Sequence, residues 1–185
     1  MTSKTHTTAV VIIPPADLWE PIQAIRRQYD RHARRWMPHI TLLYPFRLRE
    51  QLAASAQELA ETCCEIAPFE IRLSSFPHFV HGRGSHTIWL APEPVELIRQ
   101  LHKSLVSTFP DCDDMAGHRG GFTPHLSVAQ IKGRERMRAL TDAWAEEWQP
   151  ILFDLHEIAL IERGDHPPDD VFRVFKTVSL GKSPE

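Results

Sequence analysis

The sequence predicts an α+β fold, with two pseudo-twofold-related lobes of antiparallel sheet and flanking helices around a central cleft. Three observations predict it. Short apolar or alternating runs of strand length recur between longer stretches of helical composition. The order of those elements repeats in the two halves of the chain. The pattern Pro-His-apolar-hydroxyl-apolar falls on an equivalent strand of each half, as "PHITL" at 38–42 and "PHLSV" at 124–128. With 185 residues, the chain is long enough for one domain, 1–185, whose interleaved lobes share a core and each contribute one such strand.

Taken in order, "AVVIIP" (9–14) is a first strand and the stretch at about 16–32 a helix. "HITLLY" (39–44) is a strand, and the Ala-, Leu-, Glu- and Gln-rich segment 49–65 is a helix. "FEIRLSSF" (69–76) and "HTIWLAP" (86–92) are strands, with the Gly-Arg-Gly of "HFVHGRGS" turning between them. The order then recurs: a helix at 94–109 with Pro near its start, a strand at 125–130 and a helix at 134–148. Strands at 153–163 and 171–180, joined by the turn-rich "GDHPPDD", close the chain.

Composition excludes several function classes. A net charge of −3 and a pI near 6.4 do not suit a protein that grips long nucleic acid by counterion release. Ends, short oligonucleotides or small nucleotides fit better. No apolar run reaches the roughly 18–20 residues of a membrane-spanning helix, and "MTSKTHTTAVVIIPP" reads as a first strand, not a leader. Cys63, Cys64 and Cys112 make neither a C-x-x-C nor a zinc-type spacing, so a reduced, cytoplasmic compartment is expected.

The paired motif is the strongest signal. With eleven histidines in the chain, His-x-Ser/Thr is expected about once by chance. It starts at His6, His39, His102 and His125. Requiring the preceding Pro and the flanking apolar residues leaves only the copies at His39 and His125, against a chance expectation of a few hundredths. On a strand, i and i+2 share a face, so each copy presents an imidazole and a hydroxyl about 7 Å apart: His39 with Thr41, His125 with Ser127. Against this stands the ordinary reading, a hydrogen-bonded core histidine beside a strand-favouring Thr, which suits either copy alone better than the matched pair. Two imidazoles titrating near neutrality can supply one base and one acid to an in-line displacement at phosphorus without a metal. The hydroxyls of Thr41 and Ser127 suit the non-bridging oxygens, where charge develops.

On these residues the chain resembles the 2H phosphoesterase superfamily, which includes 2'-5' RNA ligase-like proteins and RNA 2',3'-cyclic phosphodiesterases. The resemblance extends over nearly the whole chain, including "FPHFVHGRGSHTIWLAPEP", where such proteins place a hairpin. It implies two lobes around a cleft and no cofactor. The implied activity is opening of a nucleoside or RNA-end 2',3'-cyclic phosphate, or breaking and forming 2'-5' linkages. His39 would protonate the leaving 3'-oxygen and His125 would activate water, or the reverse in so symmetric a site. RNA-processing relatives often carry a basic residue after the second motif. Here that place is Gln130, which offers neutral hydrogen bonds in place of a bidentate cation and favours a small or less charged substrate. A monomer acting on a nucleotide or short RNA is expected. A binding module that keeps the cleft without catalysis is the alternative.

Further candidates for substrate contact are the aromatics Tyr44, Phe46 and Phe122, which could stack a base, and Arg83 and Arg119, which could meet phosphate. Packing explains the aromatics as well, and solvation the loop arginines. The glycines of "AGHRGGFTPH" (116–125) could form a mobile lip or a plain connection. His78, His81 and His86 match no standard metal spacing, and Trp144 and Trp148, at i and i+4, are expected to face the core.

Overall fold

The structure is a computed structural model, and residues 3–116 and 121–181 are described. The elements are β1 (Lys4–Thr5), β2 (Thr8–Ile12), α1 (Trp19–Tyr29), β3 (Ile40–Leu43), β4 (Phe46–Arg47) and α2 (Leu52–Cys63). There follow β5 (Phe69–Leu73), β6 (His78–His81), β7 (Ser85–Leu90), β8 (Pro92–Glu93) and α3 (Val95–Thr108). The chain closes with β9 (Leu126–Lys132), α4 (Arg134–Glu147), β10 (Ile151–Leu155), β11 (Glu157–Glu162) and β12 (Arg173–Ser179).

One sheet runs β12-β11-β2-β3, every pair antiparallel. A second layer, made of the three-stranded ladders β10-β5-β8 and β6-β7-β9, is built the same way around a long irregular hairpin, and β1 pairs with β4 separately. Its first arm is β5 followed by β6; its second is β7 followed by β8, with Ala91 alone between them. β6 pairs with β7 and β5 with β8. Across the interruption Trp89 N–H donates to the Pro77 carbonyl (3.1 Å) and Ala91 N–H to the Ser75 carbonyl (3.0 Å). With β9 on β7 and β10 on β5, the order is β9-β7/β8-β6/β5-β10, which mirrors β3-β2-β11-β12. The hairpin expected around Gly-Arg-Gly is present, and its turn is tighter than the sequence suggested because residues 78–81 are strand. Arg83 at its tip has φ 61°, a left-handed conformation that costs a non-glycine residue about 1 kcal/mol or more and is tolerated in such tight turns.

A second difference from the expected elements lies at 153–163, where one strand was expected and two occur. The in–out alternation of β10 breaks at His156 and Glu157, two exposed residues in succession. The chain there leaves one sheet for the other, so β10 and β11 belong to different sheets.

The halves interleave. α1 packs against β9, α3 packs against β3, and the two motif strands approach each other. A single apolar cluster runs from Val10, Ile40 and Leu42 of one sheet to Ile71, Ile88 and Val128 of the other and takes in Leu101 and Leu105 of α3. Trp144 and Trp148 lie against this cluster, partly buried. Among the described residues no helix is long and apolar enough to cross a membrane.

Both motif strands carry the same irregularity. β2 pairs Val11 with Thr41 but Val10 with Leu43, leaving Leu42 as the extra residue. β7 pairs Trp89 with Ser127 but Ile88 with Ala129, leaving Val128 extra. These are two β-bulges at equivalent places, each immediately after the hydroxyl residue, and a bulge shifts the side-chain phase of everything beyond it. Leu42 and Leu43, and likewise Val128 and Ala129, are therefore consecutive buried pairs.

Candidate active site

His39 and His125 line one cleft of about 690 Å3, within the range of small-molecule sites. Each imidazole is held the same way. His39 Nδ1 lies 2.7 Å from the Met37 carbonyl, and His125 Nδ1 lies 2.8 Å from the Thr123 carbonyl. A carbonyl only accepts, so Nδ1 carries the proton in both rings, and in the neutral form Nε2 is the basic nitrogen. The acceptor is in each case two residues before the histidine, followed by a proline that fixes φ.

The rings differ in what surrounds them. Trp36 stacks on His39 at 4.5 Å and 15°, itself backed by Phe172 at 3.8 Å. His125 instead meets Phe79 and Trp89 edge-on, at 5.0 and 5.8 Å. Burial in this aromatic setting pushes His39 down to about 4; the Met37 carbonyl opposes that shift, and the charges of Arg26 and His125 add to it. His39 is thus neutral at pH 7.

Below the rings lies a buried ion pair from α1 and its end. Arg26 Nε donates to Asp30 Oδ2 at 2.8 Å, with both side chains 2% exposed. The remaining guanidinium nitrogens donate to Gln23 Oε1 (3.1 Å) and to the Trp36 carbonyl (3.0 Å). Asp30 Oδ1 accepts from His32 N–H at 2.8 Å. Arg26, Asp30, Arg31 and His32 all border the cleft. Burial lowers the His32 pKa, outweighing the pull of Asp30.

The structure brings His39, His125, Ser127, Tyr44 and Gln130 together on the cleft wall. Thr41 sits half-buried two residues past His39, paired with Val11, and is not on that wall. Tyr44 and Gln130 occupy equivalent positions, each five residues past its histidine. Regular alternation would turn both away; the bulges at Leu42 and Val128 turn them back. Gln130 Oε1 accepts from Arg31 N–H at 3.1 Å, linking β9 to the segment after α1. Tyr44 Oη donates to the His6 carbonyl at 3.2 Å.

Two aromatic candidates lie elsewhere. Phe46 is fully buried and meets Phe109 at 5.2 Å. Phe122 is 7% exposed and stacks flat on His102 at 3.8 Å and 7°. Both fill the core, where an aromatic ring gains more from burial than it would on the rim. Arg83 is exposed at the hairpin tip, off the cleft wall. Arg119 lies outside the described residues. Trp36, Arg26, Asp30, Arg31, His32, Phe79 and Thr87 border the cleft and were not expected there; Arg26, Asp30, Phe79 and Thr87 are far from the motifs in sequence, and Trp36, three residues before His39, reads like any packing aromatic. Among the described residues no group of three or more His, Cys, Asp or Glu side chains is placed to hold a metal ion.

Two similar halves, each giving one histidine to a shared cleft, are what the resemblance to the 2H phosphoesterases implied. The chain belongs to the 2'-5' RNA ligase superfamily, whose model matches residues 14–167. A Geobacillus kaustophilus protein classed by its name among the phosphoesterases is 32% identical over 123 residues, covering 65% of this chain and 67% of that one. A Bacillus cereus protein classed likewise is 27% identical over 179 residues, covering 90% and 96%. Among solved structures, TT0787 of Thermus thermophilus matches with a TM-score of 0.64 at 20% identity, covering 96% of this chain and 100% of that one. E. coli LigT complexed with 3'-AMP matches with a TM-score of 0.64 at 17% identity, covering 96% and 99%. At these identities the two structures bear on the fold.

Proposed function

We propose that the cleft is the active site of a metal-independent phosphoesterase that opens nucleoside or RNA-end 2',3'-cyclic phosphates, or acts on 2'-5' linkages, by paired-histidine acid–base catalysis. The observation that carries this reading is the matched presentation of the two imidazoles. Each has its Nδ1 proton committed to a loop carbonyl, which leaves Nε2 as the nitrogen that exchanges protons with substrate. Family membership and relatives classed as phosphoesterases support the reaction type. The nucleotides bound by E. coli LigT, 3'-AMP and ATP among them, support a nucleotide ligand.

In the proposed reaction one Nε2 takes a proton from water as its oxygen attacks phosphorus. The bond from phosphorus to the 3'-oxygen breaks on the opposite side, and the other Nε2–H protonates that oxygen. A 2'-phosphate results. Ser127, on the cleft wall, would donate to a non-bridging oxygen; Thr41, its counterpart in the first half, stands off that wall. Tyr44, on the cleft wall, offers a face for the base.

The resemblance gives the acid role to His39. In that role the phosphate anion beside His39 raises its proton affinity, as an opposite charge does for an imidazole. A p-nitrophenyl phosphodiester, whose leaving group needs no proton, separates the two assignments. The variant lacking the acid keeps its rate on this substrate, and the variant lacking the base does not.

The deciding experiment is turnover of a panel of nucleoside 2',3'-cyclic phosphates in excess chelator, followed by chromatography and phosphorus NMR. A 2'-phosphate product is expected, with rates falling by about 10²- to 10⁴-fold in His39→Ala and His125→Ala. Full activity in either variant overturns the mechanism. Nucleotide binding without turnover, unchanged in both variants, assigns the cleft to a binding module instead.

A further inference from the structure

The repeat extends beyond the histidines to two arginines. Three residues before each histidine is an aromatic residue, Trp36 in one half and Phe122 in the other. The carbonyl of each accepts from an arginine of the helix that precedes it: Trp36 from Arg26 of α1 at 3.0 Å, and Phe122 from Arg99 of α3 at 3.3 Å. The next residue, Met37 or Thr123, supplies the carbonyl that takes the histidine Nδ1 proton. A proline follows, at 38 or 124, and then the histidine itself.

We propose that Arg26 and Arg99 are paired positioning residues, each fixing the loop peptide that presents the Nδ1 acceptor and so setting the tautomer and aim of its histidine. The covalent geometry makes each link necessary. The acceptor residue lies between two peptide planes. The plane on its far side leads into proline, whose ring fixes φ and leaves no N–H to tie down. The plane on its near side contains the aromatic carbonyl, and the arginine is what holds that plane. With both planes held, the acceptor carbonyl has one direction, and Nδ1–H is the tautomer it selects. This also gives the proline of the motif a mechanical purpose.

The two clamps are of unequal strength. Arg26 is buried and its guanidinium spends itself on three acceptors. Arg99 is 43% exposed in its side chain and otherwise meets only Glu96, at 2.8 Å, among the bonds the structure describes. The flat stack of Phe122 on His102 takes up part of the holding in that half. His39 is therefore the more tightly aimed of the pair.

The inference deepens the paired-histidine reading and rests on it only for its kinetic part. The test is imidazole 15N NMR of the full chain carrying Arg99→Met, and separately Arg26→Met with Asp30→Asn so that no buried charge is left unpaired. The wild type is expected to show Nδ1–H on both rings. Arg99→Met should move His125 toward the Nε2–H form with His39 unchanged, and the double variant should do the converse. For a turned-over substrate, kcat should fall about 10- to 100-fold, the cost of a slightly misplaced group, with KM changed far less, and lysine in place of either arginine should restore part of it. Folded Arg99→Met with both imidazole spectra unchanged overturns the proposal, even if the double variant does not fold. Shifted tautomers in a protein that turns over no phosphodiester uphold the clamps and remove the catalytic reading.

Discussion

The depressed pKa of His39 has a consequence for stability that does not involve a substrate. In the unfolded chain this ring titrates near its ordinary 6.5; in the folded cleft it does so at about 4. As pH falls below 6.5 the unfolded chain binds the proton first, so the native state loses stability through that window and stops losing it below about 4. Above 6.5 the ring is neutral in both states and contributes nothing. The gap amounts to about 3 kcal/mol over the whole window, with about 2 kcal/mol of it between pH 7 and pH 5. His39→Asn removes the titrating ring while its amide nitrogen can still donate to the Met37 carbonyl. Urea denaturation of both proteins at pH 7 and pH 5 gives four free energies, and their double difference cancels every group that titrates alike in the two. The wild type should lose about 2 kcal/mol more than His39→Asn on acidification. Equal losses would refute the buried-neutral account of this residue, whatever the enzyme's activity.

Three further outcomes follow from the same geometry. Trp36→Ala uncovers His39 to water, so its pKa should rise toward the ordinary value, and the limb of the kcat/KM profile assigned to it should move to higher pH. Phe46→Ala should cost about 3–5 kcal/mol of stability, as for a fully buried aromatic, while the KM of the folded protein stays unchanged; a KM effect would return Phe46 to the site. Gln130→Ala releases the Arg31 N–H tie between β9 and the end of α1; the loss of one hydrogen bond predicts a roughly 2- to 10-fold rise in KM at unchanged kcat, measured by initial rates.

Much of this architecture is legible in the sequence because hydrophobic period and turn chemistry report local structure directly. The strands around His39 and His125, the helices between them and the Gly-Arg-Gly hairpin all follow from such local signals. The phase of the motif strands beyond the hydroxyl does not. Counting by twos puts Leu43 in the cleft and Tyr44 in the core, and the bulge at Leu42 exchanges them. A bulge is set by pairing with another strand, and a single strand's pattern carries no trace of it. Phe46 and Phe122 were hidden for a related reason: an aromatic beside a motif reads the same whether it faces substrate or the core. Arg26 and Asp30 look like an ordinary i, i+4 surface pair on an amphipathic helix. Only the crossing of α1 onto β9 buries them beneath the histidines.

That crossing bears on how such a site can arise and diverge. Because α1 covers β9 and α3 covers β3, neither half of the chain closes its own motif strand. A half expressed alone would expose the surface that its counterpart hides, and two copies of one half would have to exchange helices to close a cleft. Such a homodimer would carry two histidines in identical surroundings, with nothing to tell donor from acceptor. Joining the halves in one polypeptide removes that constraint of symmetry. One ring can then acquire a stacked tryptophan and a buried arginine while the other keeps edge-on aromatics and a half-exposed arginine, and the two surroundings can diverge independently.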